Sequence, residues 1–181
     1  MKGSTDIISF FADHIKPKRY LEIGVSQAQT INAVAKCAEE TVGVDPNLEC
    51  ESHINKDLNI TFHALTSDEF FKKHPDAKFD MIFIDGFHEK EQVRLDFQNS
   101  LKVLSPDGWV FFHDTYPPEE KYLSRNYCGD VWQYVWQLKN TLDLKDFEFL
   151  TLPWFYGITI VRKRNIQVDF LPLSKQRGLL Q

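Results

Sequence analysis

An unbroken apolar run, Met81 to Ile84, is the feature that most limits the folds open to this chain. A strand that is apolar at every position has both faces buried, which is typical of the centre of a parallel sheet covered by helices. The run ends abruptly in Asp85 and Gly86, and His88 follows two residues later. Ligands of open α/β sheets bind just beyond the carboxyl ends of the strands. The sequence therefore predicts that Asp85 and His88 lie at a functional site.

Strand and helix patterns alternate along most of the chain. Such alternation predicts right-handed crossovers and a doubly wound sheet with helices on both faces. The predicted strands occupy 20–25, 41–45, 60–65, 79–85 and 109–112, and the predicted helices occupy 4–15, 27–38, 66–74, 88–104 and 130–140. Thr66 and Glu69 have the spacing of a capping box, which predicts where the third helix begins.

The final pair of predicted strands, 147–152 and 157–161, sets this chain apart from a purely parallel fold. Residues 153–156 are too few for a parallel crossover, which needs about a dozen residues, so the pair must be antiparallel. The predicted fold class is therefore α/β, with a doubly wound seven-stranded mixed sheet and a reversed C-terminal strand. The dinucleotide-binding fold of dehydrogenases has parallel strands throughout and does not match.

Length and charge narrow the class of protein further. At 181 residues the chain is predicted to form a single domain, 1–181, with an N-terminal helix at 4–15, a core of about 18–162 and a tail at 163–181. The net charge of −5 argues against nucleic acid as a main partner, because phosphate neutralisation needs a basic face.

The cysteines and the apolar runs indicate a cytoplasmic protein. Cys37, Cys50 and Cys128 are odd in number and have no CxxC spacing, which is typical of reduced thiols rather than of disulfides or a zinc site. No signal peptide is evident at the N-terminus, and no run of about eighteen apolar residues predicts a membrane span.

A series of short motifs follows the predicted strands over about residues 18–162. In chain order they are Tyr20–Ser26, Val44–Asp45, Phe79–Asp85, Ile84–His88, Leu104–Trp109, His113–Thr115, Gly129–Trp132 and Gly157–Val161. Their kind and order resemble the class I S-adenosylmethionine-dependent methyltransferases, which have a Rossmann-like fold. More narrowly, they are similar to the small subgroup known as methyltransferase domain family 24.

The resemblance implies a site for S-adenosylmethionine. Its residues would be Glu22, Gly24, Ser26, Asp45, Thr66, Ser67, Asp85 and Gly86. Family members usually have Gly-x-Gly-x-Gly in the first motif, whereas this chain has Gly24-Val25-Ser26-Gln27-Ala28. Ser26 is small enough to leave room for the cofactor, and its hydroxyl could bind the methionine carboxylate.

Several of these residues also have a purely structural interpretation. Glu22 would orient the first loop or bind the methionine amine, or it is an exposed acid near a strand end. Asp45 would accept the ribose hydroxyls, or it is a turn residue before Pro46. Thr66 would lie near the adenine, although its capping role alone accounts for its presence.

The catalytic candidates are His88, His113 and Asp85. Either histidine would remove a proton from the acceptor, since an ordinary imidazole titrates near neutral pH, whereas His88 at a helix start is alternatively a cap or solvated. Asp85 would face the sulfonium, or it would share Mg²⁺ or another divalent cation with Asp114. His113 keeps a metal-independent mechanism open, because Mg²⁺ prefers oxygen ligands.

The predicted function is a methyltransferase that methylates oxygen on a small-molecule or carbohydrate acceptor. Aromatic residues around the site would stack on that acceptor or plug the end of the sheet: Tyr116, Tyr122, Tyr127, Trp132, Trp154 and Phe155. A non-catalytic cofactor-binding subunit and a nicotinamide-dependent oxidoreductase are the alternative functions. The oligomeric state is left open, a homo-oligomer included.

Overall fold

The computed structural model describes residues 3–143 and 145–164. Within them, seven strands form one sheet in the order β3-β2-β1-β4-β5-β7-β6. The first five strands pair in parallel, whereas β7 is antiparallel to both β5 and β6. The predicted seven-stranded sheet with a reversed C-terminal strand is therefore confirmed. The strands are β1 Arg19–Ile23, β2 Glu40–Val44, β3 Ile60–His63, β4 Phe79–Ile84, β5 Leu104–Phe112, β6 Phe147–Leu152 and β7 Ile158–Lys163.

Helices cover both faces of the sheet. One apolar cluster joins β4 to α3, α4 and α5, and a second joins the opposite face to α1 and α2. The α-helices are α1 Ser4–Ile15, α2 Gln29–Val34, α3 Ser67–Lys73, α4 Lys90–Val103 and α5 Val131–Thr141, with short 3-10 helices at Leu48–His53 and Glu120–Leu123. No helix within the described ranges has the length and hydropathy needed to cross a membrane.

The central strand β4 is buried on both faces, as its sequence predicts. Ile82 and Ile84 belong to the cluster beneath α4, whereas Met81 and Phe83 belong to the cluster beneath α1. All four side chains are no more than 3% exposed. The strand is thus fixed from both sides, and it delivers Asp85 to the carboxyl edge of the sheet.

The start of α3 also follows its prediction. The Glu69 amide donates to the Thr66 hydroxyl at 3.3 Å, and the Thr66 amide donates to the Glu69 carboxylate at 3.0 Å. These two reciprocal bonds form the predicted capping box and satisfy amides at the start of the helix. Ser67, the first residue of α3, is thereby held beside the carboxyl edge of the sheet.

Two predicted elements have bounds that differ from the structure by more than two residues. The predicted strand 109–112 begins earlier, at Leu104, because a register shift against β4 lets the chain continue through Pro106 and Gly108. Asp107 has a φ of 60° within this irregular stretch, which fits a bulge rather than a strand end. The predicted helix 27–38 is regular only over Gln29–Val34, and the turn after it is tightened by a bond from the Cys37 amide to the Val34 carbonyl. The predicted tail, 163–181, lies outside the described residues beyond 164.

Candidate active site

A cavity of about 580 Å³ opens where the carboxyl ends of β1, β2 and β4 meet. It has the position that open α/β sheets use for ligands. A larger cavity, of about 640 Å³, lies beside α5 and β6, but none of the predicted cofactor or catalytic residues line it. The first cavity is the candidate active site. Its lining residues include Gly24, Ser26, Asp45, Pro46, Thr66, Ser67, Asp68, Asp85, Gly86, Phe87, His88, Gln92 and Asp96.

Gly24 lets the chain leave β1 and pass directly over β4. Its φ is +87°, and its amide donates to the Val44 carbonyl at 2.9 Å. A Cβ atom at this position would overlap the backbone carbonyl of Asp85. Both the left-handed conformation and the close approach therefore require glycine here.

Asp45 fastens the loop that follows Gly24. Its Oδ2 accepts hydrogen bonds from the amides of Val25 at 2.9 Å and Ser26 at 3.2 Å. Its Oδ1 accepts from the Asn47 amide at 2.9 Å. Ser26 has a φ of 46°, so a residue other than glycine is held in the left-handed region. A carboxylate has about four acceptor positions, so Asp45 can still accept from a ligand hydroxyl.

Glu22 lies beneath this loop and does not line the cavity. It is 2% exposed, so the alternative of an exposed acid is wrong. Its carboxylate accepts from the Tyr20 hydroxyl at 2.6 Å and from the backbone of Ile31 in the first turns of α2. Burial raises the pKa of Glu22 well above its ordinary value, and the Tyr20 hydrogen bond offsets part of that rise. These contacts tie β1 to α2, whereas binding of the methionine amine stays a prediction.

The end of the cavity beside α3 and α4 is polar. The Gln92 amide nitrogen donates to the Ser67 hydroxyl at 3.2 Å and to Asp96 Oδ1 at 3.0 Å. Asp96 is 1% exposed, and its Oδ2 has no hydrogen-bond partner among the described residues. Burial raises the pKa of Asp96 to about 6, against the opposing hydrogen bonds of Ser67 and Gln92.

The sequence interpretation missed Gln92 and Asp96. A signal was present, because Asp96 lies between Val93 and Phe97 on the apolar side of a predicted helix. An acid in such a position is rarely buried without a partner. Only the packing of α3 against α4 shows that this part of the helix faces the cavity.

We expect Asp96→Asn to stabilise the fold at pH 8 by about 1–3 kcal/mol. Folding raises the pKa of Asp96 by about two units, so ionisation of this acid lowers the free energy of unfolding by about that amount. The folded pKa, about 6, lies above the unfolded value near 3.8. The destabilisation caused by ionised Asp96 is therefore absent below pH 3.8, grows as the pH rises and is complete above about pH 6. Urea unfolding at pH 4.5 and pH 8 measures the difference. A stability gain of equal size at both pH values would contradict this account, and Asp76→Asn, at an exposed position, is the control.

His88 and Asp114 form a pair next to this cavity. His88 Nε2 lies 3.1 Å from Asp114 Oδ2, and the two side chains are 27% and 5% exposed. Gly129, with a φ of +56°, packs so closely that a Cβ atom there would overlap the His88 carbonyl. The Asp130 carboxylate also accepts from the Lys90 amide at 2.6 Å, where α4 begins. His88 is thus held by its side chain and by the backbone around it.

His113 occupies a different position, between two hydrogen-bond acceptors. Its Nδ1 is 3.0 Å from Asp85 Oδ1, and its Nε2 is 2.9 Å from the Phe155 carbonyl. Carbonyl and carboxylate oxygens only accept, so both ring nitrogens donate and the ring is an imidazolium. Burial alone would lower the pKa of His113, but the negative charges of Asp85 and Asp114 raise it well above its ordinary value.

The donor set of Asp85, His113 and Asp114 fits a divalent cation. One ligand atom from each residue lies within 4.8 Å of the other two. The bond from His113 Nε2 to the Phe155 carbonyl is the outer contact that a metal-bound histidine usually makes. A cation there would have to displace the proton from His113 Nδ1. With one nitrogen among three ligands, the set suits Mn²⁺ or Zn²⁺ better than Mg²⁺.

The aromatic residues that were predicted to stack on the acceptor or to plug the end of the sheet lie in different surroundings. Tyr116 and Trp132 line the larger cavity, and Tyr116 is 55% exposed. The Tyr122 and Tyr127 rings contact each other, with centroids 5.4 Å apart. The neighbouring thiol, Cys128, has its pKa raised to about 12 by burial and by the charge of Asp114. It is therefore protonated at neutral pH and is a poor nucleophile.

The reversed seventh strand and the cavity at the ends of β1, β2 and β4 define a Rossmann-like fold of the methyltransferase type. The family model described as a methyltransferase domain matches residues 21–115, which are 95 of the 181 residues. The chain belongs to this methyltransferase domain family. The matched segment runs from β1 to Thr115 and so includes His88, His113 and Asp114.

Solved structures share the fold at low sequence identity. A putative caffeoyl-CoA O-methyltransferase from Staphylococcus aureus has a TM-score of 0.69 and 18% identity, over 88% of this chain and 82% of that chain. The O-methyltransferase TomG from Streptomyces achromogenes, in complex with SAM, has a TM-score of 0.69 and 16% identity, over 89% of this chain and 79% of that chain. An rRNA methylase from Streptococcus thermophilus has a TM-score of 0.67 and 9% identity, over 90% of this chain and 95% of that chain.

A curated relative matches only a part of this chain. The uncharacterized protein y4gI from Sinorhizobium fredii is 37% identical over 59 residues, which are 33% of this chain. The matched part spans 6% of the length of that protein. The structural relatives act on unlike acceptors by their names, so the shared fold leaves the acceptor open.

Proposed function

We propose that this protein transfers a methyl group from S-adenosylmethionine to a hydroxyl oxygen of a small-molecule or carbohydrate acceptor. The observation that carries the proposal is the His88–Asp114 pair beside the cavity at the ends of β1, β2 and β4. An oriented base next to a cofactor-sized cavity is what oxygen methylation requires. Membership of the methyltransferase domain family and the SAM complex of TomG support the choice of cofactor.

His88 acts as the base in this proposal. We assign the proton of His88 to Nε2, which lies 3.1 Å from Asp114 Oδ2, and this leaves the lone pair on Nδ1 to take a proton from the acceptor hydroxyl. The cofactor supplies an electrophilic methyl group on a positively charged sulfur. The residues hold the acceptor oxygen in line with that methyl group, and the proton passes to His88 Nδ1. The products are a methyl ether and S-adenosylhomocysteine.

His113 does not act as the base here, because both its nitrogens already donate. Its single positive charge offsets part of the negative charge of Asp85 and Asp114 and keeps the end of β4 next to the end of β5. A divalent cation at the same three residues would supply Lewis acidity and lower the pKa of the acceptor hydroxyl. The proposal assigns proton removal to His88 in either case.

The cavities around His88 support a position for the acceptor. His88 also lines a smaller cavity of about 340 Å³, together with Leu123 and Arg125. Leu123 in turn lines the larger cavity beside α5, where Trp132 and Trp136 offer aromatic surface. We place the acceptor along this series of cavities, with its hydroxyl at His88 and a flat ring or sugar against the tryptophans.

Calorimetry with S-adenosylhomocysteine, followed by methyl transfer assays over a panel of phenols and sugars, tests the proposal. We expect micromolar binding and turnover of at least one acceptor, because cofactor sites commonly bind in this range. Assays with EDTA and with added Mn²⁺ separate the metal-free route from the metal-assisted route. Absence of binding would contradict the proposal.

Binding without turnover of any acceptor would favour the non-catalytic alternative. The residues that favour that alternative are Ser26 and Ala28, which replace the usual glycines in left-handed conformations. Tighter binding of a nicotinamide cofactor would favour an oxidoreductase. The reversed β7 and the missing Gly-x-Gly-x-x-Gly after Ile23 argue against that class.

A further inference from the structure

Gln92 has a fixed orientation at the polar end of the cavity. Its amide nitrogen donates to Ser67 and to Asp96, which uses both of its protons. An ionised carboxylate only accepts hydrogen bonds, so the nitrogen and not the oxygen of Gln92 must face Asp96. The amide oxygen of Gln92 has no partner among the described residues. Gln92 therefore presents a free acceptor of known identity.

This free acceptor is accessible rather than enclosed, because it is not among the buried side-chain atoms that lack a partner. Ser67 and Asp96 are 9% and 1% exposed, and they form the floor beneath Gln92, which is half-buried. All three residues line the cavity. The same space is bounded by the ring of Pro46 and by Phe87, which is 57% exposed. A flat base that enters between apolar side walls would meet the oxygen of Gln92 at its edge.

The orientation of the cofactor follows from the proposed function, on which this inference rests. The sulfonium must lie near His88, and the ribose hydroxyls would lie near Asp45. The base is then left for the end of the cavity at Ser67 and Gln92. On C6 of the purine ring, adenine carries an exocyclic amine, which donates a hydrogen bond, whereas hypoxanthine carries an oxygen, which accepts one.

We propose that Gln92 Oε1 accepts a hydrogen bond from the exocyclic amine of adenine and that buried Asp96 fixes the amide for this task. Gln92 contacts the cofactor, whereas Asp96 is a positioning residue that acts through Gln92. Asp96 thereby selects adenine over a 6-oxo purine. A neutral residue would not serve equally well at this position, because only an obligate acceptor prevents rotation of the Gln92 amide.

Calorimetry at pH 8 with S-adenosylhomocysteine and S-inosylhomocysteine tests this inference. We expect the wild-type protein to bind the adenine ligand about tenfold more tightly, as the loss of one hydrogen bond and an acceptor–acceptor contact would produce. In Asp96→Asn the amide of Gln92 can rotate and offer its nitrogen to the 6-oxo group. The preference should then fall to within about threefold.

Asp76→Asn is the matched control, since Asp76 is exposed and does not line the cavity. Its preference for adenine should equal that of wild type. If Asp96→Asn does not fold, Gln92→Leu replaces it and should bind both ligands with nearly equal affinity. An unchanged preference in whichever variant folds would overturn the inference. Failure of the wild-type protein to bind S-adenosylhomocysteine would instead overturn the proposed function.

Discussion

Replacing His88 with glutamine is expected to lower kcat for methyl transfer by about 10²–10⁴-fold, the usual contribution of a general base. Glutamine preserves the size and a polar end near Asp114 but cannot take the proton. The affinity for S-adenosylhomocysteine should change by less than about threefold, because a base contacts the acceptor rather than the cofactor core. Rapid-quench kinetics and calorimetry on the same preparation measure the two quantities.

Two comparisons separate a chemical role of His88 from a structural one. His14→Gln is the control, since His14 is exposed on α1 and its Nδ1 lies 2.8 Å from the Phe10 carbonyl, away from the candidate active site. The second comparison uses Asp114→Asn and the double variant. If His88 and Asp114 act as a unit, the double variant should be no slower than His88→Gln alone. Independent, multiplicative losses would show that Asp114 does not act through His88.

Gly24→Ala is expected to destabilise the fold by at least about 3 kcal/mol and to abolish cofactor binding. The left-handed conformation alone costs an alanine about 1–2 kcal/mol, and the remainder comes from displacing the Asp85 backbone. The overlap involves a backbone carbonyl next to the His113 contact, so no rotamer change can relieve it. Urea unfolding and calorimetry with S-adenosylhomocysteine measure both effects.

Gly86→Ala provides the matched control within the same cavity. A Cβ atom at Gly86 would lie 3.3 Å from a methyl group of Ile23, and the residue is not among those with positive φ. We expect a loss of at most about 1 kcal/mol, since a side-chain methyl can shift by a few tenths of an ångström. Equal losses for the two alanine variants would refute the steric argument for Gly24.

Sequence patterns were sufficient to predict the elements whose signals lie in neighbouring residues of the chain. The capping box at Thr66 and the fully apolar run of β4 depend on residues adjacent in the chain, and both are confirmed. The boundary of β5 depends instead on how Pro106 and Gly108 meet the neighbouring strand. A local pattern indicates a turn there, whereas pairing with β4 carries the strand through it.

The sequence by itself determined the fold class, because alternating strands and helices predict a doubly wound sheet and the four-residue connection makes the last strand pair antiparallel. It also placed Asp85, His88 and Asp114 at the carboxyl edge of the sheet, since strand ends can be located from apolar runs. Only the tertiary structure separated the two histidines, through Asp114 for His88 and through Asp85 and Phe155 for His113. It likewise showed that α4 packs against α3, so that Asp96 in α4 lines the cavity. These contacts join residues far apart in the chain, so no spacing in the sequence encodes them directly.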